Sequence, residues 1–296
     1  MRKSKTYILV AVLLVAVIAL AGILAACGDD EATTDEGSSP SPEATSTADI
    51  AQEILGKAPS GLAATIVERG SVIVSTDANY APQSSVNKDT GELEGFDIDV
   101  AKAMGEALGL EVEFKTVQWE TVIPGLQTGK WDVSIGSMTI TEEREETVDF
   151  TEPYYYTSGQ VFVEKGGPQI AGVEDLAGKA VGVGAATTYY DFLKAESEAD
   201  VKTYPTDADA FPDLRNGNLD FVMTAGPTGQ QAILEGQPFD FSGAPLYYED
   251  LAFAINQGEG DWLQMLNYAV MQMHEDGTLT ELSKKWYNGL DLTVKE

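Results

Sequence analysis

The sequence predicts an α/β protein with mostly parallel sheets, and three observations carry that expectation. Short β-branched runs alternate with stretches whose apolar residues recur at helical spacing, the rhythm of βαβ units. The rhythm occurs twice, in residues 71–138 and again in 160–225, with no repeat of roughly 20–50 residues beneath it. The part of the chain with globular composition, about 235 residues, suffices for one large domain or two lobes of ordinary size.

At the N-terminus, Arg2, Lys3 and Lys5 precede an uncharged run from Thr6 to Ala26 rich in Leu, Val, Ile and Ala. That is a secretory signal pattern, although its length would also serve a membrane-spanning anchor. Leu24-Ala25-Ala26-Cys27 resembles a lipobox, the site at which bacterial lipoproteins are cut before a Cys that becomes lipidated. Small residues before the chain's only Cys, and a polar tract straight after it, favour cleavage over a retained helix. Residues 1–26 therefore read as a lipoprotein signal peptide and Cys27 as an acylated N-terminus that holds the protein at the outer face of the cytoplasmic membrane or in the periplasm. One Cys permits no disulfide. The following "GDDEATTDEGSSPSPEATSTADI" has almost no large apolar side chains to offset ordering entropy, so residues 27–61 read as a disordered tether.

From Ser71 the elements follow in order. "SVIVSTD" has the composition of a buried strand. "GFDIDVAKAMGEALGL" places Ile98, Ala101, Met104 and Leu108 on one helical face, with Gly109 at the left-handed closing position. "EVEFKTV" is a strand, "WETVIPGLQTG" a short helix broken by Pro124 and closed by Gly129, and "WDVSIGSM" a further strand. The second series comprises "QVFVEK", "KAVGVGAATTYYDFLKAE", "VKTYPT", "DAFPDLRNG" and "LDFVMTA". Two helices end the chain, "WLQMLNYAVMQMHEDG" and "TLTELSKKWYNG", with Met265, Leu266, Ala269, Met273 and Trp286 as candidate core. Thr278 and Glu281 have capping-box spacing. His274, the only histidine, has no Cys or second His nearby and reads as helix surface; no metal is expected.

The formal net charge is −30, and removing residues 1–26 takes away three positive charges and no negative ones. Such a chain is a poor partner for nucleic acid or an anionic membrane surface. An anion that binds it needs a local positive group. Arg144, one of four arginines, sits in "GSMTITEEREETVDF" among five acids. On composition alone it would pair with Glu142, Glu143 or Glu145 on a solvated face.

Six stretches in this order change that reading: "STDANYAP", "GELEGFDIDVAKAM", "WETVIPGLQTGKWDVSIGSMTITEERE", "FTEPYY", "GKAVGVGAATTYY" and "MHEDGTLTELSKKWY". Together they resemble the family 3 extracellular solute-binding proteins, the polar amino-acid receptors of ABC importers, over about residues 65–296. The resemblance implies a two-lobed periplasmic-binding-protein-like fold of type II, with two hinge strands and a ligand cleft between lobes that close on the solute. Lobe 1 would take residues 62–156 plus 250–296, and lobe 2 residues 157–249 with the hinge crossings.

It also implies the site. Arg144 would clamp the solute's carboxylate, a role that suits the planar two-donor guanidinium. Thr141 is placed as N-cap so that Arg144 falls in the first helical turn, and Gly136, Ser137 and Thr139 precede it along an extended segment. Thr187 and Thr188 match a hydroxyl pair at the start of a helix in lobe 2, where unpaired N–H groups favour an anion; Ala186 stands where Gly is usual. Thr187 could equally serve as a plain N-cap. Tyr80 and Trp119 would sandwich the rest of the solute, and Asp77 matches an acid that meets its side chain or amine. Two further positions depart: Ala225 stands where receptors of α-amino acids place an Asp, and Gln83 stands where an apolar residue is common. Either Asp77 then supplies the counter-charge, or the solute lacks a primary α-amine, as a quaternary amine or plain carboxylate does.

The expected function is capture of a small carboxylate-bearing solute, an amino acid or a derivative, for an ABC permease, by a monomer without cofactor. The alternatives are a cyclohexadienyl-dehydratase-like enzyme on the same fold, with Asp77 or Glu120 as general acid, and a sensory ligand-binding protein signalling through a separate membrane partner.

Overall fold

The computed structural model describes residues 46–295. The signal peptide, Cys27 and most of the expected tether lie outside the described residues.

Residues 46–61, expected to be tether, instead enter the fold. Helix α1 (Thr47–Leu55) is opened by Ser46, whose hydroxyl accepts from Asp49 N while the Asp49 carboxylate accepts from Ser46 N. Gly56 closes it in the left-handed conformation. Ala51 is fully buried, with Ile54 and Leu55 against the same core. The polar stretch upstream obscured a compact apolar face, Ile50, Ala51, Ile54 and Leu55, that docks a helix too short to be stable alone. Helix α2 (Gly61–Arg69) follows, burying Ala63 and Ile66.

The first half of the α/β fold comprises β1 (Ser71–Thr76), α3 (Phe96–Leu108), β5 (Glu111–Thr116), α4 (Val122–Gln127), β6 (Val133–Thr139), α5 (Glu142–Glu145) and β7 (Val148–Phe150). Between β1 and α3, the short strands β2 (Asn79–Tyr80), β3 (Ser84–Val86) and β4 (Leu93–Glu94) form a separate three-stranded sheet. Ile98, Ala101, Met104 and Leu108 are all fully buried on α3, and Gly109 takes φ 66°. Strand β8 (Tyr155–Glu164) then leads into β9 (Ala180–Gly184), α6 (Thr188–Glu196), β10 (Asp200–Tyr204), α7 (Phe211–Arg215), β11 (Phe221–Ala225), α8 (Gly226–Leu234) and β12 (Phe239–Phe241). Strand β13 (Tyr247–Asn256) returns the chain, and α9 (Gly260–Glu275) and α10 (Thr278–Trp286) pack on α3.

Strand β1 pairs in parallel with β5 and β6, and β9 pairs in parallel with β10 and β11. Between these two parallel sets run β8 and β13, antiparallel to each other from Tyr155–Leu251 to Gly159–Tyr247. The far part of β8 pairs with β11 and β12, and the far part of β13 with β6 and β7. Two crossing strands therefore join two α/β halves. One half is built on Phe96, Tyr154, Tyr155, Phe253 and Trp262, the other on Val161, Val183, Phe221 and Met223.

The capping box expected of Thr278 and Glu281 does not form. Thr278 is the first helical residue, preceded by Gly277 at φ 84°, and its N–H donates to the Asp276 carboxylate instead. Met265, Leu266, Ala269 and Met273 are buried, while Trp286 is half-buried. Ring Nε2 of His274 lies 3.0 Å from the Pro153 carbonyl. Among the described residues no group of three or more His, Cys, Asp or Glu is placed to hold a metal, and no helix is long and apolar enough to cross a membrane.

Candidate ligand-binding cleft

The carboxyl ends of the parallel strands from both halves converge. In open α/β sheets this is where ligands bind, at crevices flanking a change in strand order. Asp77 follows β1, Trp119 follows β5, Gly136, Ser137 and Thr139 end β6, Thr187 follows β9, and Asp207 follows β10. All of these, with Tyr80, Arg144, Thr188, Tyr189, Pro205 and Thr206, line one cavity. Nine of the ten residues singled out from the sequence are thus gathered there. The tenth, Ala225, is fully buried at the end of β11 and does not line it.

Arg144 owes its position to its cap. Thr141 Oγ1 accepts from Arg144 N at 3.2 Å, placing the side chain in the first turn of α5. The guanidinium donates from one terminal nitrogen to the Thr139 carbonyl at 2.9 Å and lies 5.3 Å over the Trp119 ring. Among the described residues no carboxylate is within 4.0 Å of it, so the pairing with Glu142, Glu143 or Glu145 does not occur. Burial pulls its pKa down from the ordinary value, and the Glu249 carboxylate opposes that pull.

Ser137 sits at φ 57°, a left-handed conformation that costs a non-glycine residue energy unless its surroundings enforce it. They do. Its N–H donates to the Tyr154 hydroxyl at 3.0 Å, its own hydroxyl donates to Asp97 at 2.7 Å, and Tyr155 donates to it at 2.7 Å. Tyr154 also donates to Asp97 at 2.6 Å. The hydroxyl of Ser137, a candidate site residue from the sequence, is thus held inside the protein. Asp97 has no exposed surface, and burial pushes its pKa up to about 7 against these two bonds.

The other half contributes the start of α6. Ala186 adopts φ 55° where glycine would be unstrained, and its carbonyl accepts from Trp119 Nε1 at 2.8 Å across the cleft. Thr187 is the N-cap, accepting from Tyr190 N at 3.2 Å. Thr188 and Thr139, one from each half, both donate to Glu249 of β13, Thr139 at 2.9 Å. Burial raises the Glu249 pKa, and its second oxygen has no partner among the described residues.

Sequence reasoning missed Asp207, Tyr189 and Glu249. Asp207 is 3% exposed; its carboxylate accepts from Gly184 N at 2.5 Å and from the Thr224 hydroxyl at 2.9 Å. Within "TDADA" nothing distinguishes it from Asp209, which is exposed. Asp77 is the other cavity acid, its carboxylate accepting from Asn79 N at 2.8 Å.

Known proteins align with this arrangement. The L-cystine-binding protein TcyJ of Escherichia coli is 33% identical over 236 residues, 79% of this chain and 88% of that protein. A solved ancestral arginine-binding protein bound to arginine is 35% identical with TM-score 0.69, covering 74% of this chain and 99% of that one. The ancestral amino acid-binding protein AncCDT-1, a precursor of cyclohexadienyl dehydratase, is 36% identical with TM-score 0.70, covering 75% and 98%. A family profile matches residues 72–289, and with it the strands, crossings and cleft residues described above: the chain belongs to the bacterial extracellular solute-binding proteins, family 3.

Proposed function

We propose that this protein is the lipid-anchored, extracellular receptor of an ABC importer, taking up an amino acid or amino-acid derivative between its two halves. The observation that carries the reading is Arg144. It is the only Lys or Arg lining the cavity, it lacks an ion-pair partner among the described residues, and only one of its nitrogens is held by the protein. A carboxylate placed against the remaining N–H groups gains charge-assisted bonds. Trp119 fixes the guanidinium plane from one side, and the start of α6 offers N–H groups from the other half.

Hydrogen bonds already cross between the halves: Trp119 to Ala186, Asn79 Nδ2 to Thr206 at 3.0 Å, and Gln83 Nε2 to Thr228 at 3.3 Å. Closure on the solute is proposed as rotation about β8 and β13 that makes and breaks this set, with release when the permease separates the halves. Anchoring through Cys27 rests on the lipobox alone. Of the two acids considered as general acid, Glu120 is exposed on the short turn after Trp119 and does not line the cavity, whereas Asp77 does. Thermal-shift and calorimetric titration of the purified protein against amino acids, betaines and simple carboxylates tests the reading, because a ligand of the native state raises its melting temperature. If no carboxylate does so, the proposal falls.

A further inference from the structure

We propose that Asp207 is the counter-charge for a protonated amine on the solute, so that the cargo is a zwitterion with N–H groups to donate. This rests on Arg144 taking the carboxylate. It resolves the question raised by Ala225: the acid that β11 lacks is supplied by the loop after β10.

The placement is specific. Thr224, the neighbour of Ala225, donates its hydroxyl to Asp207, so the carboxylate stands against the end of β11. Gly184 gives it room, since a Cβ there would come within 2.5 Å of Asp207 Oδ1. Strand β9 thus ends in a residue without a side chain where the carboxylate lies, and the Gly184 N–H donates to it. Each oxygen accepts one bond and keeps capacity for another. No Lys or Arg lies within 4.0 Å among the described residues.

Charge around the cavity is unbalanced in the direction an ammonium would correct. Asp207 faces Asp77 from the β1 side, Glu249 and Tyr247 from β13, Tyr80 from β2 and Tyr189 from α6. Arg144 is the single basic group among the lining residues, and a solute carboxylate would neutralise it. Burial, with Glu249 and Asp77 adding to it, pushes Asp207 up to about 7, whereas its two hydrogen bonds act the other way. A cation docked beside it reverses the imbalance and drives the proton off. A quaternary amine fits less well. It has no N–H for the Asp207 oxygens, and one face of Trp119 that would receive it is already covered by the guanidinium.

The test uses the full-length protein purified in detergent. A thermal-shift panel of the twenty common L-amino acids and L-cystine selects the strongest binder, which is then compared with its α-hydroxy and N,N,N-trimethyl analogues by calorimetry. The expected result is at least roughly tenfold weaker binding of both analogues, and proton release at pH 6.5 on binding the amino acid, read from buffers of different ionisation enthalpy. Asp207→Asn is expected to remove both the preference and the proton release. Equal binding of all three compounds overturns Asp207 while leaving the Arg144 reading intact. Binding of the amino acid without proton release in the wild-type protein overturns it without recourse to the variant. A panel in which no carboxylate binds sinks the Arg144 reading and this inference with it.

Discussion

The indole N–H of Trp119 donates to the Ala186 carbonyl at 2.8 Å, tying a side chain of one half to the backbone that opens α6 in the other. The same ring carries Arg144 on its face. Replacement by Phe keeps a stacking surface and removes the bond, which contributes about 0.5–1.5 kcal/mol to the joined arrangement. Trp119→Phe is expected to weaken solute binding roughly fivefold, and Trp119→Ala to weaken it further. Calorimetric affinity with matched circular dichroism checks both.

Arg144→Ala removes the only basic group lining the cavity among the described residues. Charged hydrogen bonds contribute about 1.5–3 kcal/mol each, so an affinity loss of at least roughly tenfold is expected. Arg144→Lys should restore little, since a point charge does not replace the two-donor fork. Unchanged affinity in folded Arg144→Ala would refute the clamp.

Gly184→Ala places a methyl 2.5 Å from Asp207 Oδ1 and 3.1 Å from Thr187 Cγ2. Overpacking of this kind costs about 1–3 kcal/mol. Both a lower melting temperature and loss of binding are expected, because the strained atoms belong to the cavity wall. A variant that melts and binds like wild type contradicts the packing described.

Stability of the solute-free protein should fall as pH rises from about 4 to 7. Asp97 and Asp207 both have pKa values pushed up to about 7 by burial, far above the ordinary carboxylate value. Between the two values the folded state holds protons that the unfolded chain has lost, so raising pH favours unfolding until both groups have titrated. Asp213, Asp261, Asp276 and Asp291 are shifted downward, and their contribution is lost only in more acidic solution. Melting temperatures by calorimetry should be higher at pH 5 than at pH 8, and Asp97→Asn, which keeps an acceptor for Tyr154, should flatten the slope.

Cys27→Ser should abolish acylation and move the protein from the membrane fraction to the soluble one, with mass spectrometry showing no added lipid. Retention of the unmodified variant at the membrane would count against the anchor.

The strands and helices from Ser71 onward were legible because apolar spacing reports burial directly, as the four inward residues of α3 show. Arg144 was legible only through the order of motifs around it, since five neighbouring acids give the opposite impression in isolation. Asp207 was not legible at all: one of two acids within three residues of a short loop and turn, it owes its burial to Gly184 and Thr224 on other strands. Helix α1 was hidden for a related reason, as its stability comes from the core it covers and not from its own composition.

Glu249 accepts from the hydroxyls of both Thr139 and Thr188. A solute carboxylate seated against Thr139 and Thr188 would compete with Glu249 for their hydroxyls, and would gain there only the difference between two acceptors. A solute held partly by such exchange would be gripped selectively yet released readily, as the proposed receptor role requires.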